Sequence, residues 1–354
     1  MPTHNPGPAV DAAFARRTFF VFAVAAMLFL VWQVADVLLL AFGAVIIAVL
    51  IRSLADPIRE HTPMNDSLAL LAAGLLILAI LGGAGWVFGS MLSSQLTALA
   101  GVLPHSMAEL REQVTHWPFG GQIAAQLDNV GALPSGLQGL AGRIGGYAMN
   151  FVSGVTNLVL VLFAGAFLST SPGRARDGLV MLLPPSAREP VRDGLNTCGR
   201  ALRLWLLGTL ADMVVTGALT FLGASLIGLP SPAALGLLAG LATFVPVIGP
   251  IASTIPGLLV AVQLGPDMLL WTLLMYVIVQ QIEGNLIYPF IQRRAVDLPP
   301  YLSLLAVMGF GVLFGWLGVI FATPLLVVIY TLTKVLYLRN TLGDDVTAPG
   351  EKSG

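Results

Sequence analysis

The sequence predicts an all-α, polytopic integral membrane protein with about eight transmembrane helices, two of its segments being broken or re-entrant. Three observations predict this. First, 56% of the 354 residues are hydrophobic and 10% are charged, where a soluble domain carries about 25% charged residues; the mean hydropathy is +0.87. Second, apolar runs recur that match a hydrocarbon core of about 30 Å, each needing roughly 20 residues at a rise of about 1.5 Å. Third, prolines and glycines interrupt two of these runs, and broken backbone at membrane depth is tolerated only where protein buries it or water lines it.

The elements follow in chain order. Residues 1–17 are polar, carry Arg16 and Arg17, and read as a short cytoplasmic tail. The first three transmembrane helices occupy 18–88. The run from Thr18 to Ile51 is too long for one span, and Gln33 and Asp36 divide it into two helices joined by a tight turn. No small-residue cleavage site follows it, so it does not read as a signal peptide. The third span begins at Leu68, and its Gly85 and Gly89 form a GxxxG pair suited to close helix contact. Over 89–150, Leu92, Leu96, Leu99 and Leu103 recur at helical spacing with polar residues between them, broken by Pro104, Pro118 and Pro134. That pattern predicts an amphipathic extracytoplasmic subdomain. A transmembrane core fills 151–338. It has spans from Phe151 to Leu168 and Trp205 to Ile227, then long segments from Ala233 to Val262, Met268 to Pro289 and Tyr301 to Tyr337. Residues 339–354 are polar and read as a disordered tail.

Charge sets the orientation. The loop 170–204 holds Arg174, Arg176, Arg188, Arg192, Arg200 and Arg203, whereas 89–150 holds Arg111 and Arg143. The positive-inside rule places 170–204 and both termini in the cytoplasm. A net charge of −1 offers no basic field for nucleic acid. The single cysteine, Cys198, cannot form an internal disulfide. There is no GxxxxGK[ST], HExxH or GxSxG motif, and His4, His61, His105 and His116 all lie outside the apolar spans. The sequence therefore calls for no cofactor, no metal and no enzymatic centre.

The candidate site residues cluster around the breaks. The centre of 233–262 reads Phe244-Val245-Pro246-Val247-Ile248-Gly249-Pro250, where prolines remove hydrogen bonds and clash with the preceding turn. The last segment is interrupted by Gly309, Gly311, Gly315 and Gly318. Gly249 to Val260 (GPIASTIPGLLV) and Gly318 to Val327 (GVIFATPLLV) are faintly alike, and paired broken segments mark substrate sites in transporters. Between them lie Gln280, Gln281, Glu283 and Asn285. A carboxylate at membrane depth costs a few kcal/mol and persists where it faces a cavity, binds a cation or carries a proton. Gln281 and Asn285, four apart, share a helix face and Glu283 points elsewhere. Asp212 is the most isolated charge of the fifth span; a structural ion pair with Arg200 or Arg203 would be its plainer explanation. Thr243, Ser253 and Thr254 border the first break as neutral ligands.

The run from Val245 to Pro250, then Ile255-Pro256, Gln281 to Pro289, Val296 to Pro300, Gly315 to Gly318 and Pro324-Leu325 resembles the autoinducer-2 exporter family of bacterial permeases. Departures are Pro299-Pro300, where many members carry a histidine before the proline, and the absence of a glycine near Gln292. The resemblance implies an inner-membrane transporter. Members are linked to export of the quorum-sensing signal autoinducer-2, and others to sodium/proton antiport.

Together these readings give a multi-pass secondary transporter of a bacterial inner membrane. Its partners would be the lipid bilayer, a small polar solute and H+ or Na+, with a homo-oligomer compatible with the glycine pairs. Glu283 would couple the ion with Asp212 in support, while Gln280, Gln281, Asn285 and Thr243 would contact the solute. A sodium/proton antiporter and a non-transporting membrane scaffold are the alternatives.

Overall fold

The computed structural model describes residues 12–83, 85–87, 90, 157–245, 248–287, 289, 298–344 and 346–347, and every regular element among them is helical. The subdomain expected over 89–150 lies outside the described residues apart from Ser90, as do Pro246 and Gly89. Helix α1 is Ala12–Gln33, so Arg16 and Arg17 occupy its first turns; Val34 alone separates it from α2, Ala35–His61. Helix α3 is Asp66–Val87 and α4 is Asn157–Thr170. At Ser171 the chain bends by 90° into α5, Pro172–Met181. Helix α6 runs 42 residues, Pro185–Leu226. Then come α7, Pro232–Ala242, α8, Ile248–Leu264, and α9, Pro266–Ile282, which continues as a π-helical turn, Glu283–Ile287. Helix α10 is Pro300–Leu332 and also continues as π-helix, Thr333–Leu342.

Five helices among the described residues are long and apolar enough to cross a membrane, or six if α4 and α5 count as one bent span; α7 and α8 are shorter apolar helices. Helices α5, α6, α7, α9 and α10 all start with proline in the first turn, where its missing N–H is no loss and its fixed φ suits the helix. Large apolar side chains such as Phe19, Phe22, Phe163, Phe167 and Val214 point outward, an arrangement that lipid accepts and water does not.

One end of the bundle is tied by arginines. Arg52 of α2 donates two hydrogen bonds to Asp66 at the start of α3 (2.9 and 3.1 Å) and one to the Ser169 carbonyl near the end of α4 (2.7 Å). A cation at a helix C-terminus also meets the negative end of its dipole. Arg203 of α6 pairs with Asp56 of α2 at 2.7 Å.

Two hairpins enter from opposite ends of α6. A Cβ on Gly236 of α7 would lie 2.6 Å from the Gly217 carbonyl oxygen, and one on Gly240 would lie 2.5 Å from that of Met213. The helices are thus antiparallel with their backbones in contact, as small residues permit. In this register the chain leaves α7 beside the turn of α6 that carries Asp212. It then reverses: a Cβ on Gly249 would overlap the Ala242 carbonyl, although residues seven apart in a straight helix are separated by about 10 Å.

The second reversal lies within α10. Gly315 has φ 62° and ψ −145°. A Cβ on Gly318 would overlap the Phe310 carbonyl, and one on Gly311 would lie 2.9 Å from Val319. Residues 300–314 and 316–332 are therefore two antiparallel arms, and the first, at about 22 Å, is too short to span. The second arm packs antiparallel on the first half of α6: Leu332 lies 3.3 Å from where a Gly194 Cβ would be, and Cys198 donates to the Val328 carbonyl at 3.8 Å. Extending that register puts the Gly315 turn at the level of Ala211 and Asp212. The apolar cluster of Trp205, Leu206, Leu298 and Val327, with Phe244 edge-on to Trp205 at 5.9 Å between ring centroids, locks the first hairpin tip to α6 and α10.

Candidate functional site

The first hairpin tip and the end of α9 lie beside the turn of α6 that carries Asp212, and the Gly315 turn lies at the same level along α6. Asp212 is 7% exposed, and its Oδ1 has no hydrogen-bond partner among the described residues. Arg203, one of the cations within reach along the helix, is turned to Asp56 of α2 instead. The Glu283 carboxylate, half-buried at the first position of the π-helical turn, lies close enough to Asp212 for their charges to interact. A π-turn leaves backbone carbonyls off the α-helical ladder and recurs at functional sites.

Helix α9 runs antiparallel to α8 and carries the rest of the polar wall. Gln280 donates a long hydrogen bond of 3.4 Å to the Thr254 hydroxyl of α8, and Tyr276 packs its hydroxyl against Gly257, 2.5 Å from where a Cβ would be. Thr254 and Ser253 both donate to the Pro250 carbonyl at 2.9 Å. These hydroxyls close on their own helix, as serine and threonine do in apolar surroundings. Thr243, buried at the end of α7, donates to the Ala239 carbonyl at 2.9 Å.

Not every residue expected from the sequence joins this group. Gln281 and Asn285 are exposed, on a different face from Gln280 and Glu283. Gly249 and Gly318 are buried at the hairpin reversals, Pro250 and Gly311 are partly buried, and Gly315 forms the second turn itself. Sequence reading passed over Thr216, Thr220, Thr272 and Tyr276, all buried with hydroxyls that have no partner among the described residues. The spacing 212, 216, 220 is a polar stripe at helical period inside an apolar span, and that signal could have found two of them. Among the described residues no group of three or more His, Cys, Asp or Glu could hold a metal ion.

Electrostatically the site is a pair of carboxylates flanked by neutral hydroxyl and amide groups. Such a set can bind a proton or a monovalent cation and hydrogen-bond a small polar solute.

Comparison with known proteins agrees with a transporter architecture. Residues 19–338 match the model of the AI-2E family transporter. YueF of Bacillus subtilis (strain 168) is 25% identical over 77% of this chain and 76% of its own length. MT0215 of Mycobacterium tuberculosis is 27% identical over 94% and 92%. PerM of Escherichia coli (strain K12) is 38% identical over 34% and 35%. All three bear provisional names, the first two as transport proteins and the third as a permease. The chain is a multi-pass membrane protein and belongs to the AI-2E transporter family.

Proposed function

We propose that this chain is a secondary active transporter of the bacterial inner membrane, with both termini in the cytoplasm, that exports a small polar solute such as autoinducer-2, driven by a gradient of H+ or Na+. The observation that carries this reading is the Asp212–Glu283 pair, a buried and a half-buried carboxylate where the π-helical turn packs on α6, at the level of both hairpin reversals. Two carboxylates within electrostatic range repel one another in a medium of low dielectric constant. A proton or cation between them relieves the repulsion, so its arrival and departure change how firmly the surrounding elements close. Each hairpin blocks the site from one end of α6, and loosening one or the other opens the site to one side at a time. Secondary transporters place substrate and ion at such broken helices. Gln280 and Thr254 would orient the solute beside the pair.

The experiment is efflux of labelled autoinducer-2 from proteoliposomes, with and without an imposed pH gradient, for wild type and Glu283→Gln. Gradient-dependent efflux that falls at least tenfold in the variant supports the reading. Efflux no faster than from empty liposomes overturns export of this solute. The carboxylate pair itself favours one second reading, a sodium/proton antiporter, for which an imposed sodium gradient would drive proton movement with no organic solute present.

A further inference from the structure

We infer that the Asp212–Thr216–Thr220 stripe of α6, together with Gln280 and Tyr276 of α9, holds a file of water that runs from the carboxylate pair to an apolar lid. The inference rests on the packing of α6 against α9 and goes beyond the transport reading.

On α6, residues 212, 216 and 220 stack one above another on a single face, since side chains four apart are neighbours. Thr216 and Thr220 are 4% and 0% exposed. Facing them, α9 runs the other way: Glu283 lies near Asp212 at one end, and Met275 meets Gly223 at the other, 2.7 Å from where a Cβ would be. Gln280 and Tyr276 fall between these two contacts along α9, with their polar ends at Thr254 and Gly257 of α8. The stripe from Asp212 to Thr220 is about 12 Å long. One turn further, Ala224 packs in the same cluster as Tyr276.

The oxygens along this path are in the wrong state for a dry interior. Asp212 Oδ1, Thr216 Oγ1, Thr220 Oγ1 and the Tyr276 hydroxyl have no hydrogen-bond partner among the described residues. Leaving a buried polar group unpaired is costly, because it has lost its hydrogen bonds to water and gained none in exchange. Buried water is the usual remedy, with each molecule making about three hydrogen bonds. Threonines in this protein can instead close on their own helix, as Thr243 does on the Ala239 carbonyl; Thr216 and Thr220 do not.

The path ends where the chemistry changes. Leu229, Leu235, Val260 and Met275 pack around Ala224 and Tyr276 in one buried apolar cluster. This cluster is the lid, on the end of α6 remote from the arginines. Water reaches Tyr276 from the carboxylate side and stops there until the cluster parts.

The test is hydroxyl-radical footprinting by radiolysis in 18O-labelled water, on the full chain in lipid nanodiscs. Tyr276 and Trp205 are both buried, at 3% and 5% exposed, and each packs in an apolar cluster, but only Tyr276 stands at the end of the unpaired oxygens. Tyr276 is expected to take up 18O at least ten times faster than Trp205. Thr220→Val is expected to slow Tyr276 at least threefold and leave Trp205 unchanged. A Tyr276 as inert as Trp205 overturns the water file and leaves the hydroxyls closed on their own helices. A Tyr276 whose rate ignores Thr220→Val overturns the route along α6. Labelling is read without any flux measurement, so a protein that moves no solute yet labels Tyr276 sinks the carrier and keeps the water file.

Discussion

The two hairpins solve one problem in different ways. The first reverses between α7 and α8, and buried polar side chains stand beside it: Thr243 and Ser253 are 5% and 7% exposed, and Thr254 reaches Gln280 of α9. The second reverses at one residue, Gly315, and Val312 and Trp316 beside it are 88% and 65% exposed. The first is clamped against α6 through glycine contacts along α7 and through Phe244 on Trp205. The second is held through its outer arm, with its tip free of such a clamp among the described residues. On the proposed reading, the clamped hairpin with its polar side chains would serve recognition and the lightly held apolar one movement.

The largest expected effects come from the closest approaches. Gly249→Ala and Gly318→Ala each place a methyl inside a backbone carbonyl, and each is expected to cost about 2–4 kcal/mol, read as a fall in the melting temperature in detergent. Gly309→Ala, which meets nothing within 4 Å among the described residues, should be neutral or slightly stabilising. Equal tolerance at all three would break the claim that both segments double back.

A smaller effect sharpens the contrast between the tips. Gly315→Ala has open space but forces an alanine to φ 62° and ψ −145°, a conformation open essentially only to glycine that costs roughly 1–3 kcal/mol. Because that strain falls on the lightly held tip, transport should drop more than stability, in a comparison of efflux rate with melting temperature.

The smallest effect lies away from both hairpins. Arg203→Met leaves Asp56 of α2 without its partner at a site where Arg203 is 43% exposed. The expected loss is under about 1 kcal/mol, with ion-driven transport preserved because Asp212 does not depend on that arginine.

Much of this was legible beforehand. Pro250, Gly249 and the glycines from 309 to 318 announced two breaks, and the likeness of GPIASTIPGLLV to GVIFATPLLV has a physical basis. Gly249 and Gly318 both fill the position where the returning arm meets a carbonyl, and Thr254 and Thr323 both follow five residues later. The direction of each hairpin was not legible, because it depends on register along α6, set by contacts such as Gly240 on Met213. The faces of α9 were half legible. Helical spacing correctly separated Glu283 from Gln281 and Asn285, yet the π-turn at 283 and the packing on α8 decide that Gln280 faces inward. Asp212 was visible as a lone charge, whereas its partner on α9 is a product of tertiary packing.

The most direct measurement is ion-driven flux in proteoliposomes for Asp212→Asn, Glu283→Gln and the double variant, at equal amounts of folded protein. If the two carboxylates act as one unit, each single change abolishes the response to the gradient and the double change adds nothing further, as coupled sites behave. Full gradient-driven flux in the double variant would contradict the account.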